Sequence, residues 1–205
     1  MQERVRTTTR TGGTFGAALA LAVLAIGGCA STRISSTWRD PGVGPVQFER
    51  VVGVALTQDP TLRRMAEDEF VRKVGPAHAI AGYTIIPDDE LKDRDAARKR
   101  IEAAGVDGAV VFRLVGVEKQ ERWVPPTSYG SAWSYWGWAG PMVSEPGYLT
   151  TDRVVEVETT AYRVSDARLI WAARSNTLNP ADSHEVIDGV VDASIAAMRK
   201  DGLLP

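Results

Sequence analysis

The sequence predicts an α+β domain of α/β-like character, built on a single mixed sheet with helices packed on it. Three observations carry this. Two apolar strand-length runs alternate with helical patterns in the first half. Residues 153–178 read as an alternating hairpin. A helix with one apolar stripe closes the chain. The predicted order is β-α-β-α-β-β-β-α, and strand–helix–strand units require some parallel pairing.

The first strand is Arg50 to Leu56 (RVVGVAL). Asp59-Pro60 then opens a helix, with Asp as cap and Pro at the first helical position. Leu62, Met65, Ala66, Phe70 and Val74 recur at helical spacing, and Gly75 stops the run. A second strand is expected from about Ile80 to Ile86, closed by Pro87. A second helix covers about Asp95 to Ala104, with Gly105 as its stop. A third strand starts near Ala109 and extends to Val124. Its first half is almost wholly apolar, as a central strand requires; its second half alternates, as an edge or protruding strand would.

Arg153 to Val164 places Val155, Val157, Thr159 and Ala161 on one face and Glu156, Glu158 and Tyr162 on the other. Ser165-Asp166-Ala167 is a turn, and Arg168 to Leu178 returns. The last helix begins near Asp182, with Glu185 completing a capping box. Its buried stripe is Ile187, Val190, Val191, Ile195 and Met198.

The N-terminus carries an address. Arg4, Arg6 and Arg10 precede an apolar run, Phe15 to Ile26, which is too short for a comfortable membrane span. Residues 1–28 therefore read as a signal peptide. The run ends Ile26-Gly27-Gly28-Cys29, and Cys29 is the only Cys of the 205 residues. The four residues resemble the lipobox of bacterial lipoproteins. The resemblance implies cleavage before Cys29 and acylation there, and so a membrane partner held by lipid. Ala30, where Asp would favour inner-membrane retention, leans towards an outer-membrane anchor facing the periplasm. Residues 29–48, rich in Ser, Thr, Gly and Pro, are expected to be a lipidated flexible tether. Trp38 within them is expected to pack back on the domain.

Residues 49–205 then form one domain. Removal of residues 1–28 takes three Arg and one Glu, moving the net charge from −2 to −4. That is no field for nucleic acid, which is excluded as a partner. One Cys excludes a disulfide framework.

Catalytic, cofactor and metal residues are not apparent. His78 and His184 have no His at ligand spacing. Asp182-Ser183-His184 is better explained by capping than by a triad. Glu67-Asp68-Glu69, Asp88-Asp89-Glu90 and Arg98-Lys99-Arg100 read as solvated charge.

The informative segment is the Gly/Pro-rich loop 125–148. Trp133, Trp136 and Trp138 fall within six residues, beside Tyr129 and Tyr135. Loops this long are usually functional or disordered, and Trp and Tyr are enriched in binding hot spots and at membrane interfaces. A protein-binding or self-assembly role, a cover over the sheet, and contact with lipid or glycan remain open for it.

The strand and turn stretches VVGVAL (51–56), AEDEF (66–70), GVDGAVVFRLVG (105–116) and YRVSDARLIWAA (162–173) resemble a group of envelope proteins. The group comprises the curli-secretion-channel lipoprotein, lipoprotein activators of penicillin-binding proteins and the N-terminal domain of the Tol–Pal propeller protein. Trp38-Arg39-Asp40-Pro41 is similar to a tether of uncharacterised envelope lipoproteins. The resemblance implies a non-enzymatic accessory, interaction or assembly module, with an envelope protein or a second copy as partner. The alternatives are a small envelope hydrolase with an unrecognised site and a lipid- or glycan-contacting structural lipoprotein.

Overall fold

A computed structural model describes residues 31–125, 127–129 and 143–205. Cys29, Trp133, Tyr135, Trp136 and Trp138 lie outside the described residues. The described elements in order are β1 (Ser31–Arg39), β2 (Val51–Leu56), α1 (Pro60–Val74), β3 (Ala79–Ala81), α2 (Arg94–Ala103), β4 (Gly108–Val124), β5 (Thr127–Tyr129), β6 (Val143–Glu145), β7 (Tyr148–Arg163), β8 (Arg168–Leu178) and α3 (Ser183–Lys200). The main sheet has the order β1-β8-β7-β4-β2-β3. β2 is parallel to β3 and β4, and the other neighbours are antiparallel, so the sheet is mixed as expected. The chain is α+β.

Local signals explain the helices. Asp59 Oδ1 accepts from the amides of Thr61 and Leu62 at 2.8 and 3.2 Å. Asp93 does the same for α2. Asp182 accepts from Glu185 N at 2.9 Å, and the Glu185 side chain reaches back to Ala181 N at 2.7 Å. Each cap satisfies amide groups that have no partner within the helix.

α1 and α3 pack on one face of the sheet, around Val51, Phe70, Val110, Trp171 and Met198. Gly53 lets the Phe70 ring lie directly on β2. Phe70 and Phe112 meet edge to face with centroids 5.6 Å apart. α2 covers part of the other face, where Ala97 and Ile101 meet Val52, Val54 and Ala109. The expected alternation of β7 holds: Val155, Val157, Thr159 and Ala161 are buried.

Four expectations are corrected. The first is the flexible tether over residues 29–48. Residues 31–39 are instead β1, an edge strand paired along its length with β8. Ile34 faces the core, Thr32 bonds Thr177 at 2.9 Å, and Thr32 lies where any Cβ at Gly189 of α3 would collide. A strand buried on one face needs few apolar residues, so its composition read as loop. Phe48 then pins the following segment into the core.

Second, Trp38 does not pack back. It stands opposite Ala172 and is 46% exposed, while Arg39, next along the strand, turns inward to the carbonyl of Asp201. One step along a strand flips the face. Third, the second predicted strand is only Ala79–Ala81. A 3-10 turn, Gly82–Thr84, follows, and Tyr83 N donates to Glu67 there instead of to a neighbouring strand. Fourth, Glu67 is not solvated. It is fully buried, as discussed below. In addition, part of the predicted loop 125–148 forms a two-stranded sheet, β5 with β6.

Candidate functional site

Several features converge on one pole of the sheet. The C-terminal ends of β2 and β8 lie there, with the N-terminal ends of α1 and α3 and the start of β1. β4 and β7 continue past it. β2 ends at Leu56, opposite Arg113, whereas β4 pairs with β7 as far as Val124 opposite Tyr148. Eleven residues of β4 therefore extend beyond β2, about 37 Å at the usual strand rise. The first five of these still lie beside β7, β8 and β1; past Glu118, level with Val154, β4 and β7 continue as a two-stranded arm that holds the ends of segment 125–148.

The arm changes character along its length. Lys119, Gln120, Glu121 and Arg122 face Arg153, Asp152, Thr151 and Thr150 across the ladder. Then Trp123 faces Leu149 and Val124 faces Tyr148. Trp123, Tyr148 and Leu149 are 58, 60 and 64% exposed. The root of the arm is tied down. Asn179 Oδ1 accepts from Arg153 N at 2.7 Å, and its Nδ2 donates to Asp152 at 2.8 Å. Asn179 holds a φ of 48°, a left-handed conformation that Asn tolerates. The Arg153 guanidinium donates to the carbonyl of Pro180.

Between the arm root and the helix ends lies an apolar groove of about 360 Å³, lined by Leu62, Phe112, Leu114, Val117, Val155 and Val186 among others. That volume falls within the range of small-ligand sites. Thr57, Arg153, Asp182 and Ser183 supply polar atoms at its rim.

Beside it, α1 is locked to the sheet by a buried ion cluster. Arg63 Nε donates to Glu67 at 3.0 Å, Nη1 to Asp88 at 2.7 Å and Nη2 to the Ile86 carbonyl at 2.9 Å. Glu67 also accepts from Ala55 N at 3.0 Å and Tyr83 N at 2.5 Å. Burial pushes the Glu67 carboxyl above its ordinary value, although its three donors, the amides of Ala55 and Tyr83 and the Arg63 guanidinium, each act the other way. Both Glu67 carboxylate oxygens accept hydrogen bonds, so the cluster reads as a structural knot.

The other candidate carboxylates are engaged as well. Asp88 also pairs with Arg64 at 3.1 Å, and the two guanidinium groups, Arg63 foremost, hold its carboxyl below the usual range. Glu90 is gripped by Arg100 at 2.9 and 3.0 Å. His78 bonds the carbonyl of Glu49 at 3.0 Å. Asp182 is occupied as a cap, as capping predicted. Among the described residues, no three His, Cys, Asp or Glu gather as a metal site. No described helix is long and apolar enough to cross a membrane.

Of Cys29, Tyr129, Trp133, Tyr135, Trp136 and Trp138, only Tyr129 falls among the described residues, at the end of β5. The exposed tip residues Trp123, Tyr148 and Leu149 were missed as a group. Their signal was the length of β4: 17 residues is about three times a usual strand. The groove left no signal, because its walls come from five elements distant in sequence.

No family model matches the chain, and no curated protein matches it. Solved structures similar to it include the PelC dodecamer from Paraburkholderia phytofirmans, at 11% identity and a TM-score of 0.45, covering 85% of this chain and 99% of that chain. A second PelC dodecamer from the same organism, a point variant, is similar at 12% identity and a TM-score of 0.42, covering 80% of this chain and 94% of that one.

Proposed function

We propose that this chain is a non-enzymatic lipoprotein of the bacterial envelope, anchored through acylated Cys29, that works as an interaction or accessory module. Its anchor lies in the outer membrane, and the domain faces the periplasm. The observation that supports this best is the arm. β4 and β7 run on together past the helical layers, and segment 125–148, whose sequence carries the Trp and Tyr cluster, joins their far ends. A ribbon whose far end exposes Trp123, Tyr148 and Leu149 is suited to engaging something else.

The pairings of the carboxylates support binding over hydrolysis. Asp88, Glu90 and Glu67 each face arginine. A general acid or base needs a free proton-transfer position towards a substrate.

Photo-crosslinking from position Trp136 in living cells tests the proposal. A discrete adduct with one envelope protein is expected, and it should vanish when residues 128–140 are deleted. A self-adduct would make the module an assembly unit. Unchanged partners and envelope behaviour after the deletion would remove the loop from the function.

A further inference from the structure

We propose that the tip of the β4–β7 arm, Trp123, Val124, Tyr148 and Leu149, is seated in the headgroup region of the same bilayer that holds Cys29. This rests on the reading of Cys29 as an acylated anchor.

The register of the sheet carries the inference. Ser31 stands opposite Leu178, Leu178 opposite Val154, and Val154 opposite Glu118. These four residues lie at one level along the strands. From Glu118, β4 runs six residues further to Val124, about 20 Å. Cys29 precedes Ser31 by two residues, which span at most about 7 Å. The tip therefore extends about 13 Å beyond the furthest level the anchor can reach.

Leaning the molecule does not easily undo this. β8 and β7 separate β1 from β4, a lateral offset of three strand spacings or about 14 Å. The sheet must lean by more than about 40° in its own plane, in the sense that lifts the arm, before the tip rises to the anchor's level. The correction to β1 is what removes the slack. A free chain over residues 29–48 would have let the domain float; a strand from Ser31 holds it against the surface.

The side chains fit that placement. The arm turns from polar to apolar at the same rung on both strands, between Arg122–Thr150 and Trp123–Leu149. Such a boundary, crossing both strands at one level, matches a planar interface. Trp and Tyr favour the headgroup level, where an apolar ring and a polar group are both accommodated. Arg122 stands one rung behind, two-thirds exposed and 3.4 Å from Asp152, level with the phosphates of an anionic leaflet. A protein partner could also cover an aromatic tip. An upright sheet carries the tip past the anchor's level and a lean towards about 40° brings the two level, so the tip meets the bilayer throughout that range, which favours the bilayer over a protein.

The test uses the lipidated full chain in vesicles of phosphatidylethanolamine and phosphatidylglycerol containing spin-labelled lipid. With Cys29 acylated, Leu149→Cys and, at the opposite pole, Gln47→Cys each supply one reactive thiol for a fluorescent label. The label at position 149 should be quenched by the shallow spin-labelled lipid and several-fold less by aqueous iodide than the label at 47. Equal iodide quenching at both, with intact mass showing acylated Cys29, overturns this inference alone. Shielding from iodide without quenching by lipid also overturns it, and assigns the tip to a protein surface. An unmodified Cys29 by mass overturns the anchor reading, and this inference with it.

Discussion

β4 is one strand with two environments. From Gly108 to Phe112 it lies under α1 and α3 on one face and α2 on the other, and it is buried except at Val111. From Gly116 to Val124 it is almost wholly exposed, although it remains paired with β7 to its end. A single register shift, between Leu114 and Gly116, marks the change. Backbone pairing continues through both halves, so hydrogen bonding is not what separates them. Covering layers are: helices bury the first half, and no described element packs on the second to a comparable extent. The first half stabilises the fold, and the second presents residues outward. Two-stranded ribbons are marginal alone, which is why the arm's root is pinned by Asn179, Arg153 and Asp152.

The largest break in this contrast should come from the buried half. Trp171 is fully buried and its Nε1 donates to Asp201 at 2.8 Å. Trp171→Ala should cost about 3–5 kcal/mol, read as a lowered urea midpoint. Arg63→Met should cost a comparable ~3–5 kcal/mol at neutral pH, because it strands the buried Glu67 carboxylate. Its pH dependence has a defined sign. The Glu67 carboxyl is already raised by burial, and losing Arg63 raises it further. The folded state then binds the proton more tightly than the unfolded one, so the deficit should shrink as pH falls below the folded value. A deficit that does not shrink on acidification would mean that Glu67 is not carrying the charge.

Gly189→Ala sharpens the comparison at the edge. Its Cβ meets Thr32 of β1. A loss of about 1–3 kcal/mol is expected, with faster amide exchange in Ser31–Arg39. Unchanged exchange there would show that β1 does not depend on α3.

Smaller effects belong to the α1–α3 surface. Arg72 foremost, with Lys73, holds the Glu69 carboxyl down at about 2. A carboxylate depressed in the fold contributes stability above its unfolded value, near 4.5, and loses it as pH falls towards about 2. Glu69→Gln should flatten that part of the acid profile and cost under about 1 kcal/mol at pH 7, as surface pairs do. Smallest of all, Trp123→Ser and Leu149→Ser should shift stability by no more than about 0.5 kcal/mol, since neither packs in the core. A larger loss in the thermal midpoint would show that the tip folds back on the domain and would erase the contrast between the two halves of β4.

Cys29 and the aromatic cluster stand out in the sequence because each is a property of composition and spacing over a few residues. The groove and the apolar tip were not. Trp123 and Leu149 are 26 positions apart in the sequence and become neighbours only through the β4–β7 register. Glu67 looked like one of three solvated acids at 67–69. Only the approach of β2 and the 3-10 turn at Gly82–Thr84 puts it in the interior.

By itself the sequence determined what is local: the caps at Asp59 and Asp182, the turn at Ser165–Ala167, the alternation of β7 and the stripe of α3. Such features are decided by interactions within about four residues, which the chain order already contains. Tertiary structure decided what depends on distant partners. Ser31–Arg39 is a strand only because β8, some 140 residues later, offers it a ladder and α3 a face to cover. β4 is half core and half arm because the helices stop and the ladder does not. Burial is set by which surfaces arrive, and no local pattern of residues records that.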